Sequence, residues 1–333
     1  MSIERNRNFN GNKMNLITHS GIFHADDVFA TALLKLFFGN ECNVVRTTDP
    51  EKIKMWSQRP DAIVYDIGLG QYDHHQANKE VRDNGIPYAA FGLLWKEYGK
   101  AVAEQVLLED NWDKFCVSIE NTLVIPIDAT DNGIQVKTDQ EFNLYTISSA
   151  ISSFNVSWDE DLEAFDSVRT ENEQFMKAVN FAYNVLINVI SKTISKIKAE
   201  DRVKQHLDNA RNGIMEMDIY LPWQDIVLNN EDPENLVNFV IFPSQRGGFN
   251  VQAVPVELGS FETRIPFPEA IRGKSQNEIE EISGVYDVRF CHNSGFLANV
   301  GNLQSAYKLI EWVMNYKKPT IDLSKRKAMD EED

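Results

Sequence analysis

The chain has 333 residues, of which 43% are hydrophobic, and its formal net charge at pH 7 is −17. This length predicts two domains, and the acidic balance argues against a broad basic surface for duplex nucleic acid. An anionic substrate therefore needs local cations or metal ions. The three cysteines, Cys42, Cys116 and Cys291, form no CxxC pair, which indicates reduced, intracellular thiols rather than a disulfide framework or a zinc knuckle.

The chain shows no sign of membrane association. No apolar run reaches the roughly 18 residues that a membrane span needs, and residues 1–15 lack the apolar segment of a secretory signal. The expected location is therefore intracellular. The basic triplet at residues 325–327 is a weak nuclear signal, and a solvated charge run is the better interpretation.

Strand and helix signals alternate in the first half of the chain, which is typical of a parallel α/β sheet. Apolar runs predict strands at residues 16–18, 42–46 and 62–65. Helical spacing of apolar residues predicts a helix from Asp26 to Phe38, which ends at Gly39. Further helices are predicted from Asp49-Pro50 onwards, over residues 88–98 and over residues 112–127.

Residues 162–207 predict one long helix or two in tandem, because apolar residues recur at steps of three and four. The other face carries five cations, which we interpret as solvated, with a cationic wall for nucleic acid as the alternative: Lys192, Lys196, Lys198, Arg202 and Lys204. After Asn212-Gly213 the pattern predicts a second α/β domain. Its predicted strands cover residues 214–221, 237–242, 249–256 and 285–290, and a helix follows over residues 302–316.

Ligand-type side chains follow the predicted strands of the first half. They lie in four segments: residues 19–27, Asp66, residues 72–76 and residues 128–133. Four of the six histidines fall in these segments: His19, His24, His74 and His75. Because the carboxyl ends of parallel strands share one edge of a sheet, we expect these segments to converge there.

Mixed imidazole and carboxylate ligands suit a borderline divalent metal such as Mn²⁺, Co²⁺ or Zn²⁺, whereas carboxylates alone favour Mg²⁺. A carboxylate that bridges two such ions builds the kind of site that catalyses phosphoryl displacement. Any one of these residues taken alone is better explained as a turn, a helix cap or a packing residue. The four segments in this order favour a metal site.

At these residues the sequence resembles the DHH phosphoesterase superfamily, and more closely the melanocyte-proliferating-gene (MYG) family, earlier labelled metal-dependent protein hydrolases. The similarity covers about residues 15–315. The matching motifs are residues 18–26, 65–68, 72–76, 128–133, 249–255, 260–264 and 292–296.

The resemblance implies an α/β fold of two domains, with the active site in the cleft between them. It places a catalytic metal-binding domain at residues 1–160 and a parallel sheet within it. A connecting helix or helices would span residues 161–207, and a smaller α/β substrate domain residues 208–320. Residues 321–333 form an acidic tail.

The resemblance also implies a set of site residues. One ion would be held by His19, His24 and Asp66, and a second by Asp26, Asp66, His74 and Asp128, with Asp66 bridging. His75 would face the substrate phosphate, and Asp73 would orient an imidazole. Asp131 competes with Asp128 as a ligand, and Asp27 is interpreted as a helix N-terminal carboxylate.

Substrate contacts are expected in the second domain, from Arg246, Arg264, Arg272, His292 and Asn299. Phe249, Phe261 and Phe296 are candidates for stacking on bases, although core packing is the better interpretation for Phe249 and Phe261. The chain departs from the family at residues 298–300, which read Ala-Asn-Val where Gly-Gly-Asn is usual. This change puts a backbone clamp on the substrate phosphate in doubt.

The function implied by the resemblance is metal-dependent phosphodiester hydrolysis. Family members are described as 3′-to-5′ exonucleases on RNA in the nucleus and mitochondrion, so we expect two divalent ions, Mn²⁺ first, and a single-stranded RNA or short oligonucleotide substrate. Hydrolysis of a small phosphoanhydride such as pyrophosphate is a second hypothesis. A metal-binding scaffold without catalysis is a third. A homodimer is compatible with the sequence, which does not fix the oligomeric state.

Overall fold

A computed structural model describes residues 13–39, 42–107, 111–134, 136, 141–159, 167–229 and 236–316. The chain divides into two compact units, Met1–Ile197 and Lys198–Asp333. The predicted acidic tail and the basic triplet lie outside the described residues, as do residues 161–166 of the predicted connecting segment.

The first unit contains a three-stranded parallel sheet. Its strands are β1 (Asn15–Thr18), β2 (Asn43–Arg46) and β3 (Ala62–Val64), in the order β2-β1-β3. In the register of the sheet, Leu16 pairs with Val44 on one side and with Ile63 on the other. The predicted strands and the predicted parallel sheet are confirmed, and the strands end on the side where the ligand-type residues follow them.

Helix α1 (Ala25–Phe38) is central to the core of the first unit, because nearly all of its side chains are buried. It ends at Gly39, as predicted, where a φ of 99° favours glycine. Helix α2 (Pro50–Ser57) begins where expected, since the Asp49 carboxylate accepts the Glu51 N–H at 3.0 Å.

Four further helical segments follow in the first unit: α3 (Ala90–Val106), α4 (Trp112–Ile119), α5 (Ile125–Asp131) and α6 (Ile147–Ser152). Helices α4 and α5 are continuous through a π-helical turn, Glu120–Val124. The predicted helices at residues 88–98 and 112–127 are confirmed with longer C-terminal ends, and the π-helical turn was not predicted. Such a turn inserts one residue into an α-helix.

The predicted long helical segment is one helix, α7 (Ser167–Asp208). Its apolar stripe is buried, from Phe175 to Leu207. Of the five cations predicted on the other face, Arg202 pairs with Asp218 at 2.5 Å and Lys204 with Glu200 at 2.9 Å. Among the described residues, no helix is both long enough and apolar enough to cross a membrane.

The second unit contains a mixed five-stranded sheet in the order β4-β5-β6-β8-β7. Strands β4 and β5 are parallel and the other pairs are antiparallel. The elements in chain order are β4 (Ile214–Glu216), α8 (Gln224–Leu228), β5 (Phe239–Pro243), β6 (Phe249–Ala253), a 3₁₀ turn (Glu269–Ile271), α9 (Gln276–Ser283), β7 (Val288–Cys291), β8 (Leu297–Val300) and α10 (Leu303–Asn315).

The predicted strands of this unit are confirmed in position, although β4 and β6 are shorter than expected. Strand β8 and helices α8 and α9 were not predicted. The strand is only four residues long, and α9 is mostly polar, so neither has strong hydrophobic periodicity. The Ala298-Asn299-Val300 departure lies in β8, which pairs with β6 on one side and β7 on the other. Its backbone therefore belongs to the sheet.

Candidate metal centre

Asp66 lies two residues beyond the end of β3, after Tyr65, in an unusual backbone conformation. Its φ is 55°, the left-handed region that residues with a Cβ rarely adopt. Its N–H donates to the carbonyl of Tyr72 at 2.8 Å, which holds the loop against the strand end. Strained conformations of this kind are retained mainly at functional sites. Here the conformation places the carboxylate, which is 4% exposed, at the end of the sheet.

Two imidazoles approach the two oxygens of this carboxylate. The Nε2 of His19 lies 3.3 Å from Oδ2 of Asp66, and the Nε2 of His74 lies 3.3 Å from Oδ1. His19 Nε2 is also 3.3 Å from Oδ2 of Asp27. His74 Nε2 is 3.0 Å from Oδ2 of Asp131. Asp66 therefore lies between two sets of nitrogen and oxygen atoms, the arrangement expected of a bridging carboxylate.

Three overlapping groups of ligand-type atoms are found in the described part of the chain, each with its atoms within 4.8 Å of one another. They are His19 with Asp27 and Asp66, Asp26 with His74 and Asp131, and Asp66 with His74 and His75. Four predicted ligands, His19, Asp26, Asp66 and His74, thus come together as the sequence indicated.

The donor atoms of this cluster fit a metal ion because several have no other partner. Seven buried side-chain nitrogen or oxygen atoms make no hydrogen bond of acceptable geometry with the described residues, although some lie 3.0–3.3 Å from a neighbour in the cluster. Four of the seven lie here: Asp27 Oδ2, Asp66 Oδ1, His74 Nδ1 and His74 Nε2. An unpartnered buried polar atom costs roughly 1–3 kcal/mol. Divalent cations with mixed imidazole and carboxylate ligands would satisfy Asp27, Asp66 and His74 Nε2.

The pKa values show how strongly the cluster attracts positive charge. Burial opposes protonation of His19, but the carboxylates of Asp66 and Asp27 raise its pKa to about 9. Burial likewise opposes protonation of His74, and Asp131 and Asp66 raise its pKa to about 10. Burial raises the pKa of Asp27 to about 7. Without metal, protons therefore balance part of the buried negative charge.

Asp73 and His75 form a separate pair at the edge of the cluster. The Nδ1 of His75 lies 2.7 Å from Oδ1 of Asp73, which also accepts the His75 N–H at 3.0 Å. The second oxygen of Asp73 accepts the Leu69 N–H at 2.6 Å. The imidazole is 58% exposed while Asp73 is buried. Asp73 thus hydrogen-bonds to an accessible imidazole.

Asp128 is in none of the three groups, and its contacts explain why. Its Oδ2 accepts from Arg82 Nη2 at 2.6 Å, and its Oδ1 accepts the Gly92 N–H at 3.1 Å. A Cβ on residue 92 would lie 1.9 Å from this carboxylate, so only glycine fits. Arg82 also donates to Glu120 at 2.8 Å and lies 3.7 Å over the Tyr88 ring. The geometry favours Asp131 over Asp128 as the ligand.

His24 also lies outside the three groups. Its ring centroid is 6.2 Å from that of His19, and it lines the cavity above the cluster. Its backbone N–H donates to Oδ1 of Asp27 at 2.8 Å. Asp27 therefore does close the first turn of α1, as interpreted from the sequence, while its other oxygen faces His19. The structure favours Asp27 over His24 as the partner of His19 and Asp66.

A cavity of about 840 Å³ opens onto the cluster. Lys79 is the single Lys or Arg among its described lining residues. Its Nζ donates to Asn132 Oδ1 at 2.9 Å. The amide nitrogen of Asn132 donates to the carbonyl of Asp128 at 2.9 Å, which fixes its oxygen toward the ammonium. Sequence reasoning missed Lys79, because nothing in its neighbourhood distinguishes it from an ordinary surface lysine.

The residues predicted to bind substrate lie in the second unit, and each makes different contacts there. Arg264 donates to the Val237 carbonyl at 2.6 Å, and Arg272 donates from Nε to the Phe267 carbonyl at 2.8 Å. Asn299 donates to Oδ1 of Asn250 at 3.0 Å. Arg246 is exposed in the turn between β5 and β6, and His292 follows β7. Their role in substrate binding stays a prediction.

The interpretation of Phe261 as a core residue is wrong, because its side chain is 69% exposed. It contacts Phe296 instead, with 5.7 Å between ring centroids. Phe249, in contrast, packs against the core of the second unit, as expected. Phe261 occupies a loop, where strand periodicity carries no information about burial.

Related proteins are found in several eukaryotes. The "MYG1 protein" of Dictyostelium discoideum is 27% identical, covering 92% of this chain and 98% of that protein. The "MYG1 exonuclease" of Rattus norvegicus is 28% identical, covering 92% and 86%, and that of Homo sapiens is 29% identical, covering 84% and 80%. A solved pGpG-specific phosphodiesterase, PggH from Vibrio cholerae, matches at 12% identity, over 90% of this chain and 97% of that chain, with a TM-score of 0.27, too low to support a conclusion.

The acidic and imidazole cluster, together with these relatives, defines the class of protein: the chain is a hydrolytic enzyme of the phosphoesterase class. The MYG1 exonuclease family model, described as "Uncharacterised protein family (UPF0160)", matches residues 15–314. Because this match spans most of the chain, the chain belongs to that family. The resemblance inferred from the sequence motifs is confirmed.

Proposed function

We propose that this chain is a metal-dependent phosphodiesterase that acts as a 3′-to-5′ exonuclease on single-stranded RNA or short oligonucleotides. The observation that carries the proposal is the convergence of His19 and His74 on the two oxygens of Asp66, among buried donor atoms without hydrogen-bond partners. Relatives named exonucleases support the nuclease part of the proposal.

The residues suit two divalent ions that share Asp66. One ion would be held by His19, Asp27 and Asp66, and the other by Asp66, His74, Asp26 and Asp131. This proposal replaces His24 by Asp27 and Asp128 by Asp131 in the set implied by the resemblance. The mixture of imidazole and carboxylate donors favours Mn²⁺ over Mg²⁺.

Bound ions of this kind supply an activated water and neutralise the charge that develops on the phosphate. The chain itself supplies the positioning. His75, held by Asp73, presents an accessible imidazole that donates a hydrogen bond to the phosphate or a proton to the leaving oxygen. Lys79, held by Asn132, offers its remaining ammonium protons to a phosphate oxygen.

The same cavity makes a small phosphoanhydride a poorer fit. Pyrophosphate carries more charge on fewer atoms than a phosphodiester, so its site needs several convergent cations. The described lining of the cavity includes one lysine and no arginine, beside apolar side chains such as Ile22 and Leu69, which are 71% and 66% exposed. Apolar side chains at this position are better suited to a sugar or a base.

The test is turnover of two phosphodiesters by the purified full-length chain. A 5′-labelled oligoribonucleotide should shorten one nucleotide at a time from its 3′ end in Mn²⁺, and bis(p-nitrophenyl) phosphate should release nitrophenolate. Both activities should disappear in EDTA and return with Mn²⁺. Equal turnover in EDTA, or release of phosphate from pyrophosphate alone, would refute the proposal.

A further inference from the structure

The second unit carries four aromatic rings in a contiguous row. Phe290 contacts His292 with 6.1 Å between ring centroids, His292 contacts Phe296 at 4.5 Å, and Phe296 contacts Phe261 at 5.7 Å. We call these four residues the aromatic row. They come from three chain segments: the end of β7, the turn before β8 and the loop around residue 261. The fold, rather than sequence proximity alone, therefore brings the rings together.

The two ends of the aromatic row lie open to solvent. Phe261 is 69% exposed and Phe290 is 44% exposed, while His292 and Phe296 between them are half-buried. A single exposed phenylalanine is unremarkable in a soluble protein. A row of contacting rings with exposed ends is a contiguous apolar surface, and such surfaces usually mark binding sites.

The imidazole in the row has a defined orientation. Its Nδ1 accepts the N–H of Ser294 at 3.0 Å, within the turn that follows β7. An accepting Nδ1 in the neutral ring places the proton on Nε2, which is then a hydrogen-bond donor. His292 thus combines a face that packs on Phe296 with a polar edge, which a purely structural aromatic cluster does not require.

A guanidinium lies beside the same turn. A Cβ built on Gly295 would be 2.4 Å from Nε of Arg272, so the arginine packs directly on the turn backbone. The same Nε donates to the Phe267 carbonyl at 2.8 Å, which fixes the side chain. Its Nη atoms make no hydrogen bond or ion pair with the residues that the structure describes. The Arg272 fork is therefore available to an anion next to the aromatic row.

We propose that the aromatic row is a stacking platform for the bases of a single-stranded nucleic acid, with Arg272 contacting the phosphate backbone. The identity of the ligand as an oligonucleotide rests on the proposed function. Single-strand binding sites combine a cation that follows the backbone with aromatic rings that accept any base. A row with a cation at its side meets both conditions, whereas an apolar peptide would need neither Arg272 nor a polar edge on His292.

The net charge of the chain favours a single-stranded nucleic acid over a duplex as the ligand. With a net charge of −17, the chain cannot draw on a broad cationic surface, so recognition must rely on stacking and a few cations. Stacking requires bases that are not paired within a double helix. We therefore expect binding to single strands, with little dependence on base identity and with a shallow salt dependence.

The experiment measures binding and turnover separately on the full-length chain. Fluorescence anisotropy of a 5′-labelled ten-nucleotide oligouridylate in EDTA reports binding without cleavage. Phe261→Leu keeps the apolar bulk but removes the ring, and it should weaken binding about tenfold. Phe261→Tyr keeps the ring and should bind like the wild type. Leu258→Ala, on another exposed apolar residue of the same loop, is the matched control and should change nothing.

Turnover of bis(p-nitrophenyl) phosphate in Mn²⁺ should be unchanged in Phe261→Leu, because this small ester needs no stacking platform. Failure of the wild type to hydrolyse the ester would refute the proposed function without touching the binding result. Undetectable binding of the oligonucleotide by the wild type would overturn the platform. Equal affinity of Phe261→Leu and the wild type, or equal loss in Leu258→Ala, would also overturn it.

Discussion

The metal centre of the first unit and the aromatic row of the second unit are built in opposite ways. The metal centre concentrates buried charge: Asp26, Asp27 and Asp66 are at most 4% exposed, and two imidazoles carry raised pKa values. The aromatic row contains no carboxylate and its ends are exposed. Its polar group is the edge of His292, and the guanidinium of Arg272 lies beside it.

In the two proposals, this difference corresponds to a division between chemistry and recognition. Buried carboxylates need bound cations to neutralise their charge. Substitutions in this cluster should therefore lower the turnover of every phosphodiester to the same extent. An exposed ring row contributes only when a substrate is long enough to stack on it, so its variants should affect oligonucleotides alone.

The largest effect is expected from Asp66→Asn, because both proposed ions share this carboxylate. We expect turnover of bis(p-nitrophenyl) phosphate and of oligonucleotide to fall together by about 10³-fold, through loss of several kcal/mol of transition-state stabilisation. Steady-state kinetics in Mn²⁺ measures the loss. Asp61→Asn, on a carboxylate paired with Arg59, is the control and should retain activity. Near-normal turnover by Asp66→Asn would show that Asp66 does not bridge two ions.

A second effect distinguishes Asp131 from Asp128. We expect Asp131→Asn to lower Mn²⁺ affinity by about 100-fold with little change in melting temperature. Asp128→Asn should instead reduce the free energy of unfolding by about 3 kcal/mol, because it breaks a buried pair with Arg82. Titration calorimetry and thermal melts measure the two quantities. If the results were exchanged, Asp128 would be the ligand.

A smaller effect is expected from Lys79→Met. Loss of one charged hydrogen bond to the phosphate should lower kcat/KM about tenfold for both substrates, with unchanged Mn²⁺ affinity. Lys52→Met, on the exposed face of α2, is the matched control. An effect on the oligonucleotide alone would assign Lys79 to strand binding, and the separation between chemistry and recognition would be less sharp than proposed.

The smallest signal is the release of protons on metal binding. The pKa values of about 9 for His19 and about 10 for His74 mean that both rings are protonated at pH 7 in the metal-free protein. A metal ion binds the neutral ring and the ionised carboxylate, so at least two protons should leave, and Mn²⁺ affinity should rise with pH up to about 10. Calorimetry in buffers of different ionisation enthalpy counts them. Binding without proton release would exclude both imidazoles as ligands.

The sequence was sufficient to predict the parallel sheet and most of the residues that surround Asp66. Each strand of the first unit is a short apolar run, and the ligand-type residues follow strands whose ends must meet. Hydrophobic periodicity and the order of the motifs therefore predict the fold and the general position of the site. The choice between neighbouring residues was not accessible, because the directions of the side chains decide whether His24 or Asp27, and whether Asp128 or Asp131, joins the cluster.

Those directions depend on contacts distant in sequence. The Asp128 carboxylate accepts hydrogen bonds from Arg82 and from the Gly92 amide. The sequence of residues 128–133 does not predict either partner. Phe261 is exposed because it lies in a loop outside the sheet. The aromatic row likewise joins segments that are separated by about thirty residues, so no local pattern predicts it.

The π-helical turn Glu120–Val124 sets the rotational phase of everything that follows it in the same helix. An α-helix turns by about 100° per residue, so the inserted residue determines which side of α5 faces α1 and α3. Evolutionary loss or gain of one residue in this turn would swing Asp131 away from His74 while leaving every ligand in the sequence intact. Conservation of ligands is therefore insufficient to infer an active relative, and the length of this turn must be conserved as well.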